Sequence, residues 1–257
     1  MRKIIDLSVA VESGLPCDPP NQIPHIKYCN HKDTAAEMAG FFGNATVDDL
    51  PEGNGWAIEF INISTHSGTH IDAPYHYYPT MNNGEKAWTI DEVPLDWFIG
   101  DGVVVDFSTK GDGYKVTASD MEEYFKKINY KLKAGDIVLV RSGAADRWGT
   151  KEYLTAGCGM SREATLWLIE KGVQVVGTDG WSCDRPLPLI AKEFNETGNK
   201  DIIWEGHRAG IEKAYCHLEK LTNLDKLPAT GFKFYCFPIK IKAASAGWVR
   251  AIAIIEE

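Results

Sequence analysis

Three of the seven histidines in the chain fall within eleven residues, in the run His66-Ser-Gly-Thr-His70-Ile-Asp72-Ala-Pro-Tyr-His76. A helical HxxxH zinc motif fits this run badly. Gly68 and Pro74 both oppose a helix, and a helical twist would turn Asp72 well away from His66. In extended backbone the positions 66, 70, 72 and 76 share parity, so the spacing predicts imidazole, imidazole, carboxylate and imidazole along one side, with local bends at Gly68 and Pro74. Neutral imidazoles with a carboxylate form a donor set suited to Zn²⁺ or Mn²⁺. The lack of a nearby cysteine points to an open hydrolytic site rather than a soft structural one. One such histidine alone is more often a core or surface polar residue; four aligned ligand types reverse that preference.

The elements that must position these groups read as strands at 4–11, 57–63, 103–107, 137–140, 173–176, 232–241 and 249–255, all rich in Val and Ile. Helices are predicted over 118–128, with Thr117 and Asp120 in capping-box positions, and over 162–171, with Ser161 as N-cap and Gly172 as stop. A weaker helical pattern covers 209–216. Strands outnumber helices without regular alternation, which predicts a mixed α/β fold rather than a dinucleotide-binding sheet or a regular barrel. The segment 30–55, with Phe41-Phe42 between Gly40 and Gly43, lacks a period and reads as a long irregular excursion able to cover a site as a lid. No repeat or linker divides the chain, so residues 1–257 are expected to form one domain.

Composition narrows the partners. With 27 Lys plus Arg against 36 Asp plus Glu, the net charge is −9 and no basic tract is dense enough to follow a phosphate backbone, so no nucleic acid is expected. No uncharged apolar run approaches the roughly 20 residues of a membrane span. The start, Met1-Arg2-Lys3 before a short apolar stretch, is interrupted by Asp6 and Glu12 and reads as mature protein rather than a signal peptide; the expectation is a cytoplasmic protein. Cys17, Cys29, Cys158, Cys183, Cys216 and Cys236 form no CxxC pair and read as reduced thiols. A nucleophilic cysteine would want a histidine partner, and sequence distance leaves Cys216 and Cys236 open as a weaker alternative.

The run HSGTHIDAPYH resembles the HxGTHxDxPxH signature of the metal-dependent cyclase-like hydrolases, a family that includes bacterial kynurenine formamidases and isatin hydrolases, and matches it at every signature position. Further along, His207 and Glu219 in HRAGIEKAYCHLEKLTNL are similar to the family's second ligand segment, and the stretch from Cys236 to Arg250 resembles its closing strands. The resemblance implies a swivelling β/β/α fold, a mostly β core with outer helices, assembled as a homodimer or homotetramer. Carried over residue by residue, it implies that His66 and His70 hold one metal, that Asp72 can bridge, that His207 serves a second position and that Glu219 is shared. One or two Zn²⁺ or Mn²⁺ ions are expected; Glu219, where some relatives carry glutamine, favours two.

The resemblance also makes His76 the proton-transfer residue. Its ordinary pKa, near roughly 6.5, suits it to take a proton from water and return it to a leaving nitrogen; its alternative role is a third imidazole ligand. Leu15 stands where the family often has a tryptophan packed against an aromatic substrate. That departure favours a small cyclic amide as substrate, with a formyl anilide, as in arylformamidases, or a lactone as the alternative. Leu15, Phe41 and Phe42 are the candidate substrate contacts. A metal- or small-molecule-binding protein without turnover is the further alternative, but binding alone needs no proton shuttle such as His76. His25, His31 and His217 lack a ligand pattern and are expected in the core or at the surface.

Overall fold

Strands rich in β-branched residues, buried on both faces, belong to parallel pairings covered by helices, and the centre of this chain follows that rule. In the computed structural model, which describes residues 1–256, nine strands form one sheet in the order Arg2–Asp6, Ile252–Glu256, Phe232–Tyr235, Ile99–Asp106, Ile137–Arg141, Val175–Thr178, Cys216–Glu219, His70–Asp72 and Ala246–Trp248. The four from Ile99–Asp106 to Cys216–Glu219 pair in parallel; the flanking pairs are antiparallel.

Alternation along the strands divides two cores. Val104, Ile137, Leu139, Val175 and Leu218 face one side with Leu7, Ile71 and Phe234. Val103, Val105, Val138, Val140 and Val176 face the other, where Met121, Phe125 and Leu168 cover them from helices Ala118–Lys127 and Arg162–Glu170. Those helices start as the sequence predicts: Thr117 and Asp120 form a reciprocal capping box, and the Ser161 hydroxyl accepts from Ala164 N–H. The first strand curls back over the sheet. Leu7 N–H donates to the Ala251 carbonyl, its own carbonyl accepts from Thr222, and Ser8 bridges Leu221 just beyond Glu219. No helix among the described residues is long and apolar enough to cross a membrane.

Several boundaries differ from expectation. The first strand ends at Asp6, Phe232–Tyr235 is shorter than predicted, the last strand is Ile252–Glu256 rather than 249–255, and an unpredicted strand Ala246–Trp248 precedes it. The helix expected at 209–216 is instead the short helix Glu205–Arg208 and the 3₁₀ turn Ala209–Ile211, with Cys216 opening a strand. Pairing with both Val175–Thr178 and His70–Asp72 overrides the local helical pattern there. The unpredicted helix Leu187–Thr197 has Pro188 in its first turn and stops at Gly198, whose φ of +67° suits glycine. Segment 30–55 is not wholly irregular: it holds the helix Ala35–Gly40 and two 3₁₀ turns. It is flanked by a separate antiparallel ribbon, His25–Cys29 with Ile58–Asn62.

Candidate active site

The histidine run folds in three local forms rather than one extended face. Gly68, at φ +66°, turns the chain after His66. Residues His70–Asp72 then form a strand, and Pro74 opens the single helical turn Pro74–Tyr77 that carries His76. Only His70 and Asp72 therefore share a face by strand parity; His66 and His76 approach from the two bends that Gly68 and Pro74 create. Thr69 anchors the run, donating to the Lys220 carbonyl and accepting from Val9 N–H. From the neighbouring strand, Glu219 lies opposite His70 and His217 opposite Asp72. His207 comes from Glu205–Arg208.

These side chains converge on the buried carboxylate of Asp72. His70 Nε2 stands 3.3 Å from Asp72 Oδ1 and 3.7 Å from Glu219 Oε2. His207 Nε2 is 3.7 Å from Asp72 Oδ2 and 3.5 Å from Glu219 Oε1, and His76 Nε2 is 3.8 Å from Asp72 Oδ2. His66 Nδ1 approaches Asp72 Oδ1 to 2.8 Å, yet both Asp72 oxygens and His70 Nε2 are buried without a hydrogen-bond partner. A tetrahedral site with bonds of 2.0–2.2 Å spaces its ligand atoms by about 3.4 Å, close to the gaps found here. Orphaned acceptors at that spacing are what a cation would satisfy, so the donor set fits a divalent metal. Among the described residues two such groups occur, Asp72 with His207, His217 and Glu219, and Asp72 with His66 and His76. Asp72 belongs to both.

Tautomers support the same reading. His70 Nδ1–H donates to the Gly68 carbonyl at 2.8 Å, which leaves the Nε2 lone pair facing the carboxylates. His207 Nδ1 is bonded to Asp184, which also accepts the backbone N–H groups of Gly206 and His207. Burial opposes an imidazolium at His207, but Asp184, Asp72 and Glu219 overcome it and raise its pKa to about 10, so without a cation Nε2 keeps a proton that a bound metal would displace. Glu219 accepts from Cys183 N–H at 2.8 Å; burial and then Asp72 raise its carboxyl. Burial would also raise Asp72, but His76, His70 and His66 hold it well below the carboxylate range. Burial, against the pull of Asp72 and with the help of neighbouring imidazoles, pushes His76 down to about 3, so it is neutral at pH 7.

A pocket of about 200 Å³ opens over this cluster, lined by His66, His76, Trp181, Trp204, His207 and Lys220 among others. Trp204 stacks on His207 at 4.3 Å between ring centroids and meets His76 edge-on. Its φ of +56° is a left-handed conformation unusual for tryptophan, a strain of the kind found beside functional sites. Lys220 is fully buried; its ammonium donates to the His66 carbonyl at 2.7 Å and to Asp18, whose carboxylate also accepts from Trp181 Nε1.

The sequence-predicted ligands His66, His70, Asp72, His207 and Glu219 all meet here, with His76 at the wall. Leu15, Phe41 and Phe42 do not. Leu15 packs with Trp148 and Trp181 against Cys17 and Tyr153 and does not line the pocket, while Phe41 and Phe42 are exposed. The aromatic surface missing at position 15 comes instead from Trp181 and Trp204. His25 and His31 are exposed and His217 is buried. His217 Nε2 lies 2.6 Å from the Tyr215 hydroxyl, whose proton goes to the Gly206 carbonyl, so Nε2 donates and Nδ1 keeps an unpartnered lone pair. Residues 217 and 219 share a strand face, a parity signal that could have joined His217 to Glu219. Asp184, Trp204 and Lys220 carry no comparable signal. Cys216 and Cys236 are fully buried with thiols pushed up by burial, which removes the cysteine-nucleophile alternative.

Fold and site together describe a hydrolase with a buried His/Asp/Glu cluster able to hold a cation, on the mostly β core with outer helices that the swivelling β/β/α expectation describes. The family model described as "Putative cyclase" matches residues 5–185, and the chain belongs to that family. The kynurenine formamidase of Erythrobacter litoralis is 28% identical over 251 residues, covering 98% of this chain and 93% of the relative. The isatin hydrolase of Roseibium aggregatum is 26% identical over 214 residues, covering 79% and 77%. Among solved structures, an isatin hydrolase bound to the product analogue thioisatinate superposes with a TM-score of 0.77 at 20% identity, covering 100% of this chain and 93% of that one.

Proposed function

We propose that the chain hydrolyses a C–N bond of a small, cyclic amide, with His76 as general base and then general acid. One observation carries this reading: the imidazole of His76, about a quarter exposed, stands at the pocket wall with Nε2 3.8 Å from the orphaned carboxylate of Asp72. His66, His70, Asp72, His207 and Glu219 are assigned as ligands of one or two Zn²⁺ or Mn²⁺ ions; the presence of Asp72 in both donor groups supports a bridging role. A divalent cation bound there supplies a Lewis acid that lowers the pKa of water and polarises a carbonyl.

The chain's own residues do the rest. His76 takes a proton from the attacking water and returns it to the departing nitrogen, a service worth about 10²- to 10⁴-fold, because an amide anion is a very poor leaving group. Asp184 fixes the His207 ring and Cys183 N–H fixes Glu219. Trp181 and Trp204 wall the pocket against bulk water. A second reading, hydrolysis of an open-chain formyl anilide, is supported by the relatives named kynurenine formamidase; a lactone is the remaining alternative. Residues 1–257 are assigned as one catalytic domain, since Arg2–Asp6 and Ile252–Glu256 pair in the same sheet. The assembly is assigned as a cytoplasmic homodimer or homotetramer, supported by the exposed apolar ribbon at 25–62.

The deciding experiment measures metal content and turnover together. Protein purified without chelator, then reconstituted, is expected to hold one to two Zn²⁺ or Mn²⁺ per chain and to hydrolyse members of a panel of cyclic and open-chain amides and lactones, scored by product mass. His76→Ala should keep the metal and lose several orders of magnitude in activity on amides, but far less on an activated ester whose leaving group needs no proton. Asp72→Ala should lose metal and activity together. Loss of metal from His76→Ala would make His76 a ligand, and intact metal binding without any turnover would favour the non-catalytic alternative.

A further inference from the structure

Beside the catalytic pocket lies a second hollow of about 370 Å³, walled by Leu187, Ile190, Ala191, Phe194, Ile203, Trp204 and Arg208. Residues 187, 190, 191 and 194 follow the i, i+3, i+4, i+7 spacing of a helix stripe that ordinarily packs into a core. On helix Leu187–Thr197, however, only Ile190 is buried, so most of the stripe faces the hollow. Two of its walls, Leu187 and Trp204, also line the catalytic pocket. The two spaces adjoin across that pair, and Trp204 is the residue stacked on His207.

Size and charge indicate the occupant. Small-molecule sites run to roughly 300–1,000 Å³, and the catalytic pocket alone, at about 200 Å³, falls short of that; with the adjoining groove it falls within. Arg208 is the groove's only ionisable wall, and no carboxylate of the described residues lies within ion-pair distance of its guanidinium. Of the acids that share the adjoining hollow with Arg208, Glu212 pairs with Arg162 and Glu205 with Lys115, while Glu163 and Asp201 form no ion pair with it. We infer that this groove is a substrate subsite that takes the non-reacting arm of the amide, an apolar aryl or alkyl group ending in a carboxylate that Arg208 receives. The inference rests on the amide-hydrolase reading for the position of the reacting bond.

The test uses metal-reconstituted protein and three formamides: formanilide without an arm, 4-butylformanilide with an apolar arm, and 4-(4-formamidophenyl)butanoate with an apolar arm and a carboxylate. The butanoate is expected to show kcat/KM at least tenfold above formanilide, with the butyl compound between them. Ala191→Trp, which fills the groove, should erase the advantage of both armed substrates, and Arg208→Met only that of the carboxylate. No advantage in the wild type, or variants that lower all three substrates equally, overturns the inference.

Calorimetric titration with 4-phenylbutanoate separates this proposal from the reading beneath it. Binding that Ala191→Trp and Arg208→Met each weaken at least tenfold, in a metal-reconstituted protein that cleaves neither formamides nor the cyclic amides of the panel, upholds the groove and removes the amide reading. Turnover of formanilide with no phenylbutanoate binding does the reverse. Hydrogen-exchange protection of 187–194 that vanishes on dilution would assign the groove to a second copy of the chain and overturn the substrate role.

Discussion

At the residue scale the site turns on where each imidazole nitrogen points. His70 spends Nδ1–H on a carbonyl and His207 spends Nδ1–H on Asp184, so each presents Nε2 to the carboxylates. Asp184 is the side chain that the sequence reading lacks, and its role is testable. Asp184→Asn keeps the size but removes the charge that orients and polarises His207; partners of this kind typically contribute 10- to 100-fold in metal affinity. The expected outcome is a loss of that size in competition titrations against a chromophoric chelator, with the protein still folded by circular dichroism. An unchanged affinity would mean that the backbone N–H groups of Gly206 and His207, not the imidazole, are what Asp184 serves. The cluster from His66 to His76 was legible because its ligand types are adjacent in the chain. Asp184 and His217 were not, because only the pairing of Cys216–Glu219 with His70–Asp72 and the approach of Glu205–Arg208 bring them near Asp72.

At the element scale, the backbone that carries Asp184 is held by close packing against a neighbouring strand. A Cβ at Gly159 would come within 2.0 Å of Arg185 N, and Met160 N–H donates to the Cys183 carbonyl beside it. Gly159→Ala must therefore push residues 183–185, costing about 1–3 kcal/mol by overpacking and shifting both Asp184 and the Cys183 N–H that fixes Glu219. The expected outcome is a lower urea midpoint together with weaker metal binding; a lower midpoint with unaltered metal binding would show that the segment shifts without disturbing the site. The two chain ends meet in a second contact, where Arg250 donates two hydrogen bonds to the Asp6 carboxylate. The Arg250 hydrogen bonds, against a smaller desolvation cost, hold the Asp6 pKa below its ordinary value. A depressed carboxylate pKa contributes stability above the unfolded value, about 3.9, and loses it as pH falls through the folded value. Arg250→Leu should thus lower the urea midpoint modestly at pH 7, with the gap to wild type closing as the pH drops below about 4; a gap independent of pH would assign the effect to packing of the arginine stem. Strong local signals, such as the Thr117 and Ser161 caps, were legible for the same reason that they are local. Helix Leu187–Thr197, opened by Pro186 and Pro188, and strand Cys216–Glu219, half polar because it carries ligands, were hidden by the residues their function requires.

At the scale of the whole molecule, the ribbon of His25–Cys29 and Ile58–Asn62 is the part that the sheet does not explain. Tyr28, Phe60 and Ile61 on it, with Phe41 and Phe42 on the excursion between its strands, are each between 55% and 69% exposed. An isolated two-stranded ribbon is marginal in water, and large apolar side chains exposed on both of its faces are what an interaction site offers. Both faces of Ile58–Asn62 are open along its length, so burial against this chain's own core does not account for its composition. In the proposed homodimer or homotetramer, a second copy of the chain would supply the missing cover. The substitutions Phe60→Lys and Ile61→Lys together place one cation on each face of the ribbon and are expected to shift the sedimenting species to monomer at micromolar concentration. The same measurement bears on the lid reading of the excursion. If Phe41 and Phe42 close over a neighbouring copy's pocket, dissociation should raise KM without releasing metal, and Phe41→Ala with Phe42→Ala should raise KM in a protein that still assembles. Wild-type protein that sediments as a monomer would remove the interface and, with it, a lid over a neighbouring copy's pocket; assembly with an unchanged KM in the double alanine variant would leave Phe41 and Phe42 as interface residues alone.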